Sequence, residues 1–273
     1  MTAPQVASRT AGRLAEIRAE GRAALVGYLP VGFPDVHGSI EAARAMVDAG
    51  VDIVELGLPY SDPVMDGPLI QYAVERALAG GVRVRDTLRA AETVAATGVP
   101  VLVMSYFNPV LHYGIDAFAR DLAAAGGAGM ITPDLIPDEA AEWIDASDRY
   151  GLDRVFLVAP SSTAERLALT ARASRGFVYA ASTMGVTGTR AVVGSHAEQL
   201  VADTRRAGAE RVCVGLGVST GAQAAQVAAY ADGVIVGSAF VRPLVDGATP
   251  AAGLAALTEV VGELAAGVRG VQR

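Results

Sequence analysis

The 273-residue chain contains no lysine; all 22 of its basic residues are arginine. Without an ε-amine it has no side chain able to form a Schiff base with a carbonyl substrate or to carry pyridoxal phosphate covalently. The one cysteine, Cys213, lies in the apolar run Arg211-Val212-Cys213-Val214. A single thiol builds neither a disulfide framework nor a cysteine-rich metal site, so Cys213 reads as a buried strand residue. Three histidines, His37, His112 and His196, are far apart, and a histidine-rich metal centre would need all of them to converge. Aromatic residues are only 5% of the chain, whereas 52% is hydrophobic, with heavy use of Ala and Gly. That composition suits many helices packed closely on a sheet and argues against disorder. The net charge of −7 comes with no basic stripe, which points away from nucleic acid and anionic membranes. Any phosphate would then be met by backbone amides and helix ends. The N-terminus lacks a signal-peptide core, and no apolar stretch reads as membrane-spanning, so the expectation is a soluble, cytoplasmic protein.

What is present is a repeat of short apolar runs, each followed by an Ala-rich amphipathic stretch. The candidate strands are Ala24–Leu29, Asp52–Leu58, Pro100–Met104, Gly129–Thr132, Arg154–Val158, Phe177–Ala181, Arg211–Leu216 and Gly233–Val236. They are rich in Val, Ile and Leu and do not alternate with polar residues, as expected where both faces are buried. Helix candidates between them include Gly38–Ala49, Asp116–Ala125, Asp138–Tyr150, Ala164–Ser174, Ser195–Ala207 and Thr220–Tyr230. A further helix near Ala11–Glu20 could plug the bottom of a barrel. Eight βα units with no linker favour an α/β fold of one domain spanning 1–273, a closed (β/α)8 TIM barrel with an extra N-terminal helix. An open doubly wound sheet would usually open with a G-x-G-x-x-G turn, and Pro30-Val31-Gly32-Phe33-Pro34 is not one.

A barrel places its chemistry at the C-terminal ends of the strands. Glu55, Tyr106, Asn108, Asp134, Tyr179 and the segment 185–188 fall there. The densest stretch is Glu55–Pro68, ELGLPYSDPVMDGP, in which a strand-end carboxylate, Glu55, is followed by Asp66 on a loop broken by Pro59, Pro63, Gly67 and Pro68. Two carboxyl groups facing one pocket can divide acid–base work. Carboxylates in turns also serve as solvated groups or caps, and Asp62 before Pro63 fits that role. After the seventh and eighth strands come Gly215-Leu216-Gly217-Val218-Ser219 and Gly237-Ser238, the latter opening a helix. Glycines with a helix N-terminus suit phosphate, although Gly-Ser is also an ordinary turn. Gly185-Val186-Thr187-Gly188 reads as a hinged loop over the mouth or as a plain surface loop.

ELGLPYSDPVMDGP closely resembles the signature of the tryptophan synthase alpha subunit family. MSYFNP at 104–109, PDLIPDE at 133–139, GVTG at 185–188, GLGVS at 215–219 and VGSAFV at 236–241 follow in that family's order, so the resemblance runs through the whole barrel. It implies a carbon–carbon lyase of tryptophan biosynthesis that cleaves indole-3-glycerol phosphate to indole and glyceraldehyde 3-phosphate. It also implies no cofactor in this chain and a pyridoxal-phosphate beta subunit as partner, in an alpha2beta2 heterotetramer. By the same resemblance Glu55 is the general acid/base and Asp66 the carboxylate that binds the indole. Tyr179 lines the pocket near the glutamate, while Tyr106, Ile131 and Leu157 enclose the indole. Thr187 and Gly188 belong to the closing loop, and Gly217, Gly237 and Ser238 to the phosphate cradle. Leu216 stands where the family often has Phe, and Met65 where a smaller residue is common.

The residues support that chemistry independently. A carbon–carbon bond beside an indole breaks without amine or metal once ring C3 is protonated, because the resulting cation is an electron sink. One carboxyl near C3 and one carboxylate near the ring N–H suffice. A general acid at that position needs a raised pKa, which desolvation of Glu55 would supply. The rival readings are a lyase acting alone and releasing free indole, a non-catalytic regulatory module for a beta partner, and another phosphate-binding barrel such as a sugar-phosphate epimerase.

Overall fold

The computed structural model describes residues 6–181, 195–215 and 217–271. Eight parallel strands close into one barrel in chain order, with β1 hydrogen-bonded to both β2 and β8. They are β1 (Ala24–Pro30), β2 (Ile53–Gly57), β3 (Val101–Met104), β4 (Gly129–Thr132), β5 (Asp153–Val158), β6 (Val178–Ala181), β7 (Val212–Gly215) and β8 (Gly233–Val236). Each lies within a residue of the run expected from sequence, because apolar side chains buried on both faces mark these strands directly.

The helices are α1 (Arg9–Ala19), α2 (Val36–Ala49), α3 (Pro68–Ala79), α4 (Val84–Ala95), α5 (Phe107–Tyr113), α6 (Ile115–Ala124), α7 (Ala141–Tyr150), α8 (Ala164–Ala173), α9 (Ser195–Arg206), α10 (Gly221–Ala228), α11 (Ser238–Asp246) and α12 (Pro250–Arg269). The span expected as one helix from Asp138 divides into a 3-10 turn, Pro137–Glu139, and α7. Helix α3 starts on Pro68, where the missing N–H costs nothing and the fixed φ suits the first turn. Helix α12 departs from the sequence reading. Its 20 residues, with a mean hydropathy of 1.4 over an 18-residue stretch, are long and apolar enough to cross a membrane. Its buried face, from Gly253 through Leu257, Val261 and Leu264 to Val268, instead packs against α2, α10 and α11.

Two apolar clusters follow from the two-residue period of a strand. Leu25, Leu29, Val54, Leu56, Val101 and Val103 point outward to the helices. Val26, Ile53, Leu102, Ile131, Val155, Phe177, Cys213 and Ile235 point inward. Leu14 and Ile17 of α1 join that inner cluster, so the N-terminal helix does plug the barrel from below. The Ser8 hydroxyl caps it by accepting from the Ala11 N–H at 3.0 Å.

Three buried aspartates hold the lower rim. Asp52 accepts from both Arg22 Nη atoms (2.7 and 2.9 Å), from Arg13 (3.0 Å) and from the Leu25 amide (3.0 Å). Asp153 accepts from the Thr10 amide at 3.1 Å and lies 3.5 Å from Arg175 Nε. Asp232 accepts from Arg205 (2.7 Å) and the Val212 amide (2.9 Å). Each ties a strand start to an amide and an arginine on another segment. Asp52→Ala leaves the Arg22 guanidinium, whose side chain is only 11% exposed, with the half-exposed Glu20 as its one remaining charge partner among the described residues. It is expected to cost about 3–5 kcal/mol of stability, measured by urea unfolding.

Candidate active site

One step further up seven of the eight strands, all but β4, the next inward position belongs to a different kind of residue. Above Val26 comes Tyr28; above Ile53, Glu55; above Leu102, Met104; above Val155, Leu157; above Phe177, Tyr179; above Cys213, Gly215; above Ile235, Gly237. All seven line one cavity of about 100 Å³ at the C-terminal end of the barrel. Met65, Asp66, Gly217 and Ser238 complete much of its wall.

Glu55 sits in β2 directly across from Tyr28 of β1 and Leu102 of β3. It is 0% exposed, and neither carboxyl oxygen has a hydrogen-bond partner among the described residues. Desolvation alone raises its pKa from 4.5 to about 8, so at neutral pH the group is a carboxylic acid. Tyr28 and Tyr179 flank it. Burial pushes both phenols far above their usual range, with Asp66 and then Glu55 adding to the shift at Tyr28, and Glu55 adding at Tyr179. Their hydroxyls lie in space left by absent side chains: a Cβ on Gly57 would strike the Tyr28 hydroxyl, and one on Gly215 the Tyr179 hydroxyl.

Asp66 is held differently. The Tyr106 hydroxyl accepts from the Val64 amide (3.0 Å) and the Met65 amide (2.8 Å), and donates to Asp66 Oδ1 at 3.4 Å. Gln71 in α3 donates to the Asp66 carbonyl at 2.8 Å. Burial raises the Asp66 pKa, and the Tyr106 hydrogen bond opposes that rise. Neighbouring polar residues serve the frame. Asp134 caps α5 by accepting from the Phe107 amide (3.0 and 3.2 Å), and Asn108 donates to the Tyr60 hydroxyl at 3.2 Å. The Ser61 hydroxyl donates to Asp62 at 2.6 Å, a local turn contact.

Among the residues expected at the site, Glu55, Asp66, Leu157, Tyr179, Gly217, Gly237 and Ser238 line the cavity together. Tyr106 and Ile131 do not. Tyr106 supports the loop from behind. Ile131, fully buried, is in register with Met104 and Val155 and belongs to the inner apolar cluster. Thr187, Gly188 and Leu216 lie outside the described residues. Tyr28, Met104, Ile70 and Ile235 were not expected at the cavity. Counting two residues up from the inward-facing apolar positions would have found the first two.

Gly237 is the N-cap of α11, so the first amides of that helix open beside the cavity. Gly217, at φ +65°, adopts the left-handed backbone that favours glycine. A buried neutral carboxyl and a loop carboxyl thus share one cavity, with a helix N-terminus at its edge, at the end of the barrel where enzymes of the (β/α)8 class carry their active sites.

Comparison with known proteins identifies the family. The model of the tryptophan synthase alpha chain family matches residues 14–269. The tryptophan synthase alpha chain of Mycolicibacterium paratuberculosis is 62% identical over 263 residues, covering 96% of this chain and 95% of the relative. That of Thermobifida fusca is 59% identical over 264 residues, covering 96% and 98%. A chain of the Mycobacterium tuberculosis tryptophan synthase structure superposes with a TM-score of 0.91 at 60% identity, covering 96% of this chain and 99% of that one. The chain belongs to the tryptophan synthase alpha chain family.

Two outcomes follow. Between pH 4.5 and about 8 the native state holds a proton on Glu55 that the unfolded chain releases. Stability therefore falls by about 1.4 kcal/mol per pH unit across that window from this group. Glu55→Gln removes the dependence, so its stability gain over wild type should grow from pH 5 to pH 8 in parallel urea titrations. Tyr106→Phe removes the acceptor of two amides and should cost about 1–3 kcal/mol in the same assay.

Proposed function

We propose that this chain cleaves indole-3-glycerol phosphate to indole and glyceraldehyde 3-phosphate, with Glu55 as acid/base and Asp66 as anchor of the indole N–H. The observation that carries the proposal is Glu55: a fully buried carboxyl with a pKa of about 8, sharing one cavity with Asp66 and the start of α11. The Glu55 carboxylic acid gives its proton to indole C3, and the positive charge that develops on the ring nitrogen is met by Asp66. The new Glu55 carboxylate takes the proton from the hydroxyl on the carbon attached to C3. The bond between that carbon and C3 then breaks, its electrons return to the ring, and an aldehyde forms. Glu55 ends protonated, as it began. The phosphate is met by the amides at Gly217, Gly237 and Ser238. The chain itself supplies no cofactor.

The chain acts as one barrel domain over 1–273, in the cytoplasm, as the alpha subunit of an alpha2beta2 assembly whose beta subunit uses pyridoxal phosphate to consume the indole. Exposed apolar side chains support a docked partner. Val64 is 76% exposed, Leu111 54% and Ile136 39%. They sit on segments joined through Tyr106, Phe107 and Asp134, at the mouth of the cavity.

The test is cleavage of indole-3-glycerol phosphate by the purified chain, with and without beta subunit. Glu55→Gln should lower turnover by about 10²–10⁴-fold, and Asp66→Asn by about 10²–10³-fold. Activation by the beta subunit separates a subunit from a lyase acting alone. Because the acid form of Glu55 starts the reaction, kcat/KM should decline above pH about 8. Indole production unchanged in Glu55→Gln would sink the mechanism.

A further inference from the structure

A second, larger cavity of about 550 Å³ opens at the opposite end of the barrel. Arg154, Arg172, Arg175, Arg211, Ser174 and Glu210 are among its lining residues. Among the described residues, four arginines thus surround one hollow in a chain of net charge −7, and a single acidic residue lines it with them.

The inner pair is fixed in place. Arg154 and Arg175 have side chains only 11% and 10% exposed. Arg154 Nε donates to the Ala173 carbonyl at 2.7 Å, and its Nη1 donates to Asp148 at 2.5 Å. Arg175 Nε lies 3.5 Å from Asp153, and its Nη2 donates to the Val6 carbonyl. The outer pair is available. Arg172, in the last turn of α8, has no hydrogen-bond or ion-pair partner among the described residues. Arg211 pairs at 2.9 Å with Glu210, whose side chain is 81% exposed, a contact worth little in water. Beneath them the Ser174 hydroxyl is buried and has no hydrogen-bond partner among the described residues. A buried hydroxyl without a partner pays a desolvation cost that a bound acceptor would relieve.

We propose that this hollow is a second anion site, which takes a small phosphorylated metabolite with its phosphate between Arg172, Arg175, Arg211 and the Ser174 hydroxyl. The donors come from three segments, the end of α8, the turn after it and the residue before β7, and are a set of several guanidinium groups with a hydroxyl. That arrangement suits a tetrahedral oxyanion better than a planar carboxylate, which a single guanidinium fork can satisfy. The volume lies in the range of small-molecule sites, about 300–1,000 Å³, and leaves room for an organic part. One arginine in a last helical turn, such as Arg172, also offsets a helix dipole. Arg175 and Arg211 lie outside any helix and have no such role. The site is independent of the chemistry proposed around Glu55.

Calorimetric titration of the full chain with inorganic pyrophosphate at low salt tests the proposal. Ser238→Asp, which puts a negative charge at the opposite cradle, should retain one pyrophosphate site with affinity within about twofold of wild type. Adding Arg172→Ala and Arg211→Ala should weaken that site at least tenfold. Arg172→Glu alone, at an exposed position, should do the same, with unaltered thermal melting as the control for folding. The arginine variants should leave indole formation unchanged when Ser238 is intact. Loss of all pyrophosphate binding in Ser238→Asp alone, or binding unchanged by the arginine substitutions, would overturn it.

Discussion

Closing a ring of short parallel strands forces every second side chain into its interior, and the rest of this molecule depends on that constraint. Ile53 and its counterparts on the other strands fill the interior with apolar groups, sealed from below by Leu14 and Ile17. The next inward position on β2 is Glu55, which rests on that dry layer with no polar partner among the described residues. The packing that stabilises the barrel therefore also sets the protonation state of the carboxyl above it. No neighbouring charge is needed, because removal of water alone accounts for the shift.

The two ends of the barrel treat buried carboxyl groups in opposite ways. Asp52, Asp153 and Asp232 each receive a backbone amide and face an arginine, so their burial is compensated and they act as rivets between segments. Glu55 receives neither. A carboxyl left uncompensated within so ordered a frame is a cost that folding alone does not explain, and such costs collect where a barrel does chemistry.

Strands and their order were legible because apolar runs buried on both faces have no other reading. The long motif around Glu55 was legible for a related reason: prolines and glycines cannot hide within regular elements. What escaped depends on register and on contacts between distant segments. Ile131 falls in the lower layer because on β5 it is in register with Val155 and not with Leu157, the residue that reaches the cavity. The Tyr106 hydroxyl turned out to grip the Val64 and Met65 amides, a contact across some forty positions that spacing does not reveal. The arginines of the lower cavity escaped similarly. Residues 154, 172, 175 and 211 form no stripe along the chain, and only the closure of the ring brings them together.

The two carboxyl groups of the upper cavity ride on different bodies. Glu55 is built into a strand paired on both sides, whereas Asp66 hangs on a loop held by one phenol from β3's far end and one amide side chain from α3. The pair has the form of a caliper, with one jaw set in the barrel wall and the other on a loop. A shift of Tyr106, whose ring centroid lies 5.5 Å from that of Tyr60 and which is the N-cap of α5, would reset the gap through the loop and not through the strand that carries Glu55.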